Sequence, residues 1–464
     1  MIALFFAALK FTDVQIGLFM TLTLAGDVLL SLFLSLIADR VGRRRILLAG
    51  SILMIVSGVV FAISENFWLL LIAAVVGVVS TTGGDFGPFR AIEESTLSHL
   101  TTPKTRSDVL SWYVTTSSLG SALGTAFSGR VVDYLASLDS WVLTDAYHAV
   151  FWVYIIIGAL AVVSTLAMTD RCEMSDGDGQ QPSSPESDRE RDQGEYEMLR
   201  RQSEDDNNEN NATTTDNNTE NNNIIDSSSA NRKSLFAQIS AKTRNVMYKL
   251  WFLLAVDSLA DGMVSYSLTN YYLDRKFNLS KSTLGGIMST SYLLMACSTI
   301  FASPLSRRLG LVNTMVFTHL PSSAAVLLFP IPQNVPMTVV LFFIRTGLNN
   351  MDQAPRVSLI AAVVRPEERT AVMGITSMAR TLASTVGPSF TGVLAGNDRF
   401  WIAYVVAGAL RVSYDLGLFA MFVNMKLHEH EMNDFGNDDY GHNGDEESVG
   451  SRRLSNDDGT EPGR

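Results

Sequence analysis

Eleven runs of apolar residues, each about as long as a bilayer is thick, constrain this chain more than any other feature. They occupy 14–38, 46–63, 67–88, 108–135, 147–168, 246–272, 282–304, 312–330, 336–364, 371–396 and 401–423. A helix needs about 20 residues to cross hydrocarbon, so each run is of spanning length. Lipid offers no hydrogen bonds to a backbone, so a spanning segment must satisfy its own amides and be helical. A shorter apolar stub, 1–9, precedes them. The sequence therefore predicts an all-α, multi-pass integral membrane fold. The longest runs exceed the hydrocarbon thickness and predict tilt or extension beyond it.

Charge is concentrated outside these runs. Residues 169–245 hold 17 acids and 9 bases, and 424–464 hold 11 and 4. Their combined −15, removed from the formal −12 of the chain, leaves the remainder at about +3. The acidic balance thus belongs to two hydrophilic segments and says nothing about a ligand. Both are too poor in apolar residues to bury a core. They read as a disordered linker (169–245) and a disordered acidic tail (424–464), both on the cytoplasmic side. Each carries an Arg-Arg-x-Ser sequence, ending at Ser203 and at Ser455. Two readings stay open for these serines, sites for basophilic kinases or ordinary disordered charge.

Soluble-enzyme signals are missing from the sequence. Two cysteines, Cys172 and Cys297, make neither a disulfide framework nor a metal site. There is no phosphate loop or nucleophile elbow, and the six histidines are scattered or in the tail. No catalytic residue, metal, cofactor or nucleic-acid partner is expected. The lipid bilayer is the partner that the apolar runs imply.

Between the first two spans lies Ala38-Asp39-Arg40-Val41-Gly42-Arg43-Arg44-Arg45, one acid and four arginines on a tight turn. This loop, with Lys104 and Arg106 and with Arg307 and Arg308, falls on one side and reads as cytoplasmic. The opposite side is more mixed, and 273–281 carries three bases. An internal repeat underlies the pattern. At an offset of 263, Gly124, Phe127 and Gly129 meet Gly387, Phe390 and Gly392; at an offset of 268, Gly17 and Gly42 meet Gly285 and Gly310. Duplicated halves of this kind suit a carrier whose site lies where the two copies meet.

The acid–glycine–arginine order resembles the loop between the second and third helices of Major Facilitator Superfamily transporters. Asp39, Arg40, Gly42, Arg43, Arg44 and Arg45 all match that pattern. The resemblance implies two six-helix bundles, here 1–168 and 246–423, working by alternating access. It gives the loop acid a gating role near the helix start at Thr370; the bland alternative is that the arginines only fix topology. Under the repeat offset, the partner of 246–272 would fall at about −22 to 4. The first helix is therefore expected to be largely missing, through a truncated gene model or a genuine eleven-span design. The Asn- and Ser-rich linker points to a eukaryotic, fungal source.

Ionisable residues inside spans are costly and are usually retained for function. Candidates for a substrate or proton pathway are Asp27, Asp85, Asp257, Asp261, Arg345, Asp352, Arg356 and Arg380. Asp257 and Asp261 lie four residues apart. They would either raise one another's proton affinity or each pair with an arginine elsewhere. Arg345, Asp352 and Arg356, spaced seven and four, predict one polar helical face, lining a cavity or neutralising itself. Arg411 and Asp415 read as a self-neutralised pair on a peripheral last helix. Gly120, Gly124, Gly129, Gly387, Pro388 and Gly392 read as close helix crossings. Gly387-Pro388 also resembles a fifth-helix motif of drug/proton antiporters, although the fifth-helix copy has Thr125 in place of proline. The expected function is secondary, proton-coupled transport of a small organic solute, with a non-transporting nutrient sensor as the alternative. Plasma membrane and vacuolar or other organelle membrane both remain open.

Overall fold

The computed structural model describes residues 1–77, 79, 89–169, 241–364 and 369–422. Asp85, Ser203, Ser455, the expected linker up to 240 and the expected tail lie outside them, as do the side chains of Asp39 and Arg40. The described chain is helical, with no strand among those residues. In order, the helices are α1 (Ile2–Ala8), α2 (Asp13–Val41), α3 (Arg43–Ile63), α4 (Phe67–Val76), α5 (Arg90–Leu100), α6 (Pro103–Ala136) and α7 (Leu143–Leu166). After the linker come α8 (Ala241–Met263), α9 (Tyr266–Phe277), α10 (Lys281–Leu309), α11 (Leu311–Leu328) and α12 (Val335–Asn349). A 3₁₀ turn (Asn350–Asp352) leads to α13 (Gln353–Val363), α14 (Arg369–Gly396) and α15 (Phe400–Phe422).

Helix boundaries follow local chemistry. Gly42 and Gly310 adopt φ of 98° and 83°, a region that disfavours side chains, and each turns one helix into the next. They are repeat partners at offset 268, so the same device ends α2 and α10. Asn66 caps α4 by accepting from the amides of Trp68 and Leu69 at 3.0 and 3.2 Å. Asn334 caps α12 through the amide of Met337 at 3.1 Å.

Six of the described helices are long and apolar enough to cross a bilayer: Asp13–Leu34, Arg43–Ile63, Leu143–Leu166, Lys281–Ser306, Leu311–Leu328 and Phe400–Met421. Of the other expected spans, 108–135, 246–272, 336–364 and 371–396 are largely helical, and within 67–88 the described helix is Phe67–Val76. Residues 246–272 break between α8 and α9, and 336–364 break at the 3₁₀ turn. Helix α8 carries Asp257 and Asp261, and α14 carries Arg380, which lowers their apolar content. Large apolar side chains such as Leu29, Phe33, Trp68, Ile72, Trp152 and Ile156 stand exposed along the helices. An apolar surface of this extent fits lipid rather than water.

The described residues form two compact units. One comprises described parts of Met1–Ala237, Ser265–Ser289 and Pro388–Asp398; the other, described parts of Gln238–Val264, Thr290–Gly387 and Arg399–Arg464. The first has an aromatic centre in which Phe5 and Phe6 of α1 meet Phe19, Phe61, Phe151 and Tyr147. Within it α3 and α7 pack closely, with Gly58 facing Tyr154 and Ile155, and Gly158 facing Ile55. In the second unit α11 packs against α8, α12, α13 and α15 and keeps one exposed face that includes Phe317 and Leu328. Its lower core joins Met247, Leu250, Trp251 and Leu254 to Met315, Val316, Leu359, Ile360, Tyr414 and Leu418.

Candidate functional site

A chain of buried charged side chains runs through the second unit. It begins at Asp261 on α8, whose carboxylate pairs with Arg411 of α15. The same guanidinium donates to Oδ1 of Asn349 and, at 2.8 Å, to Nε2 of His319 on α11. On its other nitrogen, Nδ1, His319 lies 2.7 Å from Asp415, which also accepts from Ser323 Oγ at 2.6 Å. Nε2 of His319 is 3.5 Å from Asp257, and Asp257 is 3.8 Å from Arg356. Arg356 closes the chain on Asp352. Four carboxylates thus meet two guanidiniums and one imidazole in a continuous series of contacts.

Burial differs sharply along this series. The side chains of Arg411 and Asp415 are 0% exposed, whereas that of Asp261 is 33% exposed. Asp257 is buried, and neither of its carboxylate oxygens accepts a hydrogen bond among the described residues. Removing one member of a buried pair costs about 3–5 kcal/mol, because it leaves a charge uncompensated. Retaining such a set is weak evidence for stability. It is better evidence for a task, since intramembrane charges are otherwise selected against.

The surrounding backbone is shaped to hold these groups. Between α8 and α9 the Val264 carbonyl lies at a break, and Arg345 donates to it at 2.5 Å. Between α12 and α13 the 3₁₀ turn carries Asp352. Pro355 lacks an amide hydrogen, so it fits only the first turn of a new helix and helps fix the break there. Asn349, Asp352 and Arg356 therefore reach the network from an interrupted helix, where freed polar groups are tolerated only when buried in protein.

The structure corrects several sequence-based expectations. Arg345, Asp352 and Arg356 do not form one face of a continuous helix, because the 3₁₀ turn resets the angular register between Arg345 and the other two. Of the two readings open for Asp257 and Asp261 the structure shows the second, with Asp261 paired to Arg411 and Asp257 3.8 Å from Arg356 while also facing His319. Arg411 and Asp415 make separate contacts instead of neutralising each other, since α15 packs against both α8 and α11. Arg380 donates to Ser258 at 3.2 Å, beside Asp257 in sequence. Asp27 lies half-buried on α2, in the other unit. His319, Asn349 and Ser323 escaped the sequence reading. The signal for His319 was an ionisable residue within the 312–330 span, the same rule that singled out the acids.

The expected crossing glycines divide into two groups. Gly17 of α2 meets Gly392 of α14, and Gly129 of α6 meets Gly285 of α10, both within the first unit. A methyl group at Gly17 would lie 2.5 Å from the Pro388 carbonyl oxygen, and one at Gly129 would lie 2.4 Å from that of Lys281. In the second unit Gly387 is pressed on the Gly262–Met263 peptide, where the same methyl would lie 2.4 Å away. Gly120 and Gly124 are a correction: a methyl at either would meet no described atom within 4 Å. They sit on the exposed side of α6, so backbone approach is not their role.

Charged contacts accompany the crossings in the first unit. Asp13 accepts from Tyr271 and Arg275, both at 2.5 Å, and Arg275 reaches Asp398 at 2.8 Å. Burial alone would lower the Arg275 guanidinium, but its hydrogen bond and attraction to Asp13 outweigh this and hold it above its ordinary value. Asp133 accepts from the amides of Lys281 and Ser282 at 2.8 and 2.7 Å, capping the start of α10.

The Major Facilitator Superfamily profile matches residues 1–204 and 250–434, most of the chain. The chain belongs to the Major Facilitator Superfamily. This facilitator is 33% identical over 427 residues to the uncharacterized membrane protein YJR124C of Saccharomyces cerevisiae, covering 91% of this chain and 90% of that protein. Its fold is similar to that of the nucleoside transporter NupG, with TM-score 0.61, 12% identity and coverage of 91% and 94% of the two chains. The xylose transporter XylE from E. coli gives TM-score 0.61, 13% identity and coverage of 91% and 89%. In the facilitator's arginine loop, Arg43 is buried, Arg45 is exposed, and Arg44 donates to the Leu166 carbonyl at 2.8 Å. Arg44 therefore caps the C-terminus of α7, where a cation also meets the favourable end of the helix dipole.

Proposed function

We propose that this facilitator is a secondary active transporter that couples movement of a small organic solute to protons by alternating access. Residues 1–168 and 246–423 are taken as its two working halves. The observation that supports this reading best is the chain of charge from Asp261 to Asp352. It contains more acids than cations and ends in the partly exposed Asp261 carboxylate. A group that binds and releases protons needs water on one occasion and burial on another. A charge series running from a partly exposed acid to a buried one meets that need.

Within this scheme Asp261 is the entry to the pathway, while Asp257, Asp352, Arg356 and Arg380 line its interior. Asp27 and Asp85 are candidates contributed by the other half. Asp39 and Arg40 are proposed to latch the halves on the loop side, with Arg44 anchoring that loop. The symmetric crossings Gly17–Gly392 and Gly129–Gly285 are proposed as surfaces that close together in one state and part in the other.

The test uses full-length protein in proteoliposomes loaded with a pH-sensitive dye. A panel of nucleosides and pentoses is added outside, chosen to cover solutes of the similar transporters. Addition of one solute class should move the internal pH, with a saturable rate. Solute binding without solute flux would contradict the reading and favour a sensor. Flux without saturation would contradict it in favour of a channel.

A further inference from the structure

We infer that His319 is the proton-binding group of this network, and that a proton on its Nε2 exchanges Arg411 for Asp257 as the partner of that nitrogen. The inference rests on the proton-coupled reading above and names the residue that performs it.

Hydrogen-bond chemistry fixes the starting state. A guanidinium carries only donors, so Arg411, 2.8 Å from Nε2, donates and Nε2 must present its lone pair. The imidazole proton then sits on Nδ1, where Asp415 accepts it at 2.7 Å. His319 is therefore held neutral in the Nδ1–H tautomer, with Asp415 and Ser323 fixing its ring. The edge of Tyr414 packs on the same ring, with centroids 5.4 Å apart.

The same nitrogen faces a second partner that is left unsatisfied. Asp257 Oδ1 lies 3.5 Å from Nε2, and both Asp257 oxygens are buried without a hydrogen-bond donor among the described residues. Orphaned buried acceptors are costly, and one beside a titratable nitrogen marks a state still to be formed. A proton arriving on the Nε2 lone pair turns that nitrogen into a donor. It can then no longer accept from Arg411, which keeps Asp261 and Asn349. The new N–H points instead to Asp257. No covalent bond changes beyond N–H formation, and release reverses the step.

Charged groups on every neighbouring element act on this exchange. Asp257 and Asp261 face it from α8, Asp352 from the 3₁₀ turn, Arg356 from α13, and Arg411 and Asp415 from α15. Arg345 on α12 is engaged with the Val264 carbonyl, and Arg380 on α14 with Ser258. The directly linked set holds four acids and two arginines, so a proton on His319 reduces its negative excess. Arg411 keeps its bond to Asp261, so the change in charge of the set is carried to the partly exposed end of the series. A buried protonation would thus be felt at the entry to the pathway.

Full-length protein in lipid nanodiscs, labelled with ¹⁵N-imidazole histidine, tests this by NMR. The expected result is one histidine in the Nδ1–H tautomer at high pH that becomes an imidazolium as pH falls. That signal should vanish in His319→Gln. Asp257→Asn should move its midpoint to lower pH, to a proton concentration about tenfold or more higher, because the facing anion is removed. An Nε2–H tautomer at high pH would overturn the inference, as would a midpoint unmoved by Asp257→Asn. If His319→Gln fails to elute as a folded species, the wild-type tautomer and the Asp257→Asn shift still decide. Solute-driven proton flux that survives in folded His319→Gln would overturn the inference alone. Its absence from the wild type would instead overturn the transport reading.

Discussion

The two units differ in which kind of helix contact is most prominent. In the first, α2 crosses α14 and α6 crosses α10 on bare glycines, with backbones nearly touching. In the second, α8, α11, α13 and α15 meet through a buried series of acids, arginines and one histidine. Glycine contacts gain close packing and carry no charge themselves, with the Asp13–Arg275 pair and the Asp133 cap standing beside them. The charge series stakes stability on every member being paired, so a change at one end alters the others. A transporter needs both kinds of contact, close-packed surfaces and a set of groups that registers what is bound.

Breaking the charge series should have the largest effect. Arg411→Leu leaves Asp261, Asn349 and His319 without their shared donor, and is expected to destabilise the folded protein by about 3–5 kcal/mol in detergent unfolding. A loss under about 1 kcal/mol would mean the series is not truly buried. Next come the crossings. Gly129→Val and Gly387→Val each force a side chain into a facing backbone, at about 1–3 kcal/mol of overpacking. Thermal unfolding of the purified variants measures this, and wild-type stability in both would remove the close approach from the account. Asp13→Asn is smaller, about 1 kcal/mol or less, because its partner Arg275 is partly exposed. Its effect should shrink at high salt. Smallest, and opposite in sign, is Gly124→Ala. That position has open space, so helix propensity alone should stabilise the protein by up to about 1 kcal/mol.

Much of this comparison could be read from the chain before any coordinates. The repeat paired Gly17 with Gly285 and Gly129 with Gly392, and Gly129 and Gly392 were expected at crossings; that Gly17 meets Gly392 and Gly285 meets Gly129 came from the structure. Gly42 and Gly310 were likewise marked by the repeat, and both proved to be positive-φ turns. Gly120 and Gly124 misled, since small residues spaced by four carry no statement of which face is covered. The acids and arginines were found individually but not their partners. Spacing of four between Arg411 and Asp415 suggested a local pair, whereas three-dimensional packing offered each a stronger partner on another helix. His319 was passed over because an isolated histidine in an apolar span has no sequence neighbour to reveal its role. The break at 350–352 was equally hidden, because polar periodicity looks continuous across a 3₁₀ turn.

The most direct measurement of the central claim compares solute accumulation driven by a pH gradient with solute exchange at equal pH, in proteoliposomes of wild type and Asp261→Asn. If Asp261 links the buried series to water, the variant should lose gradient-driven accumulation by tenfold or more while retaining exchange. Accumulation equal to wild type in folded Asp261→Asn would contradict the claim that this charge series couples protons to transport.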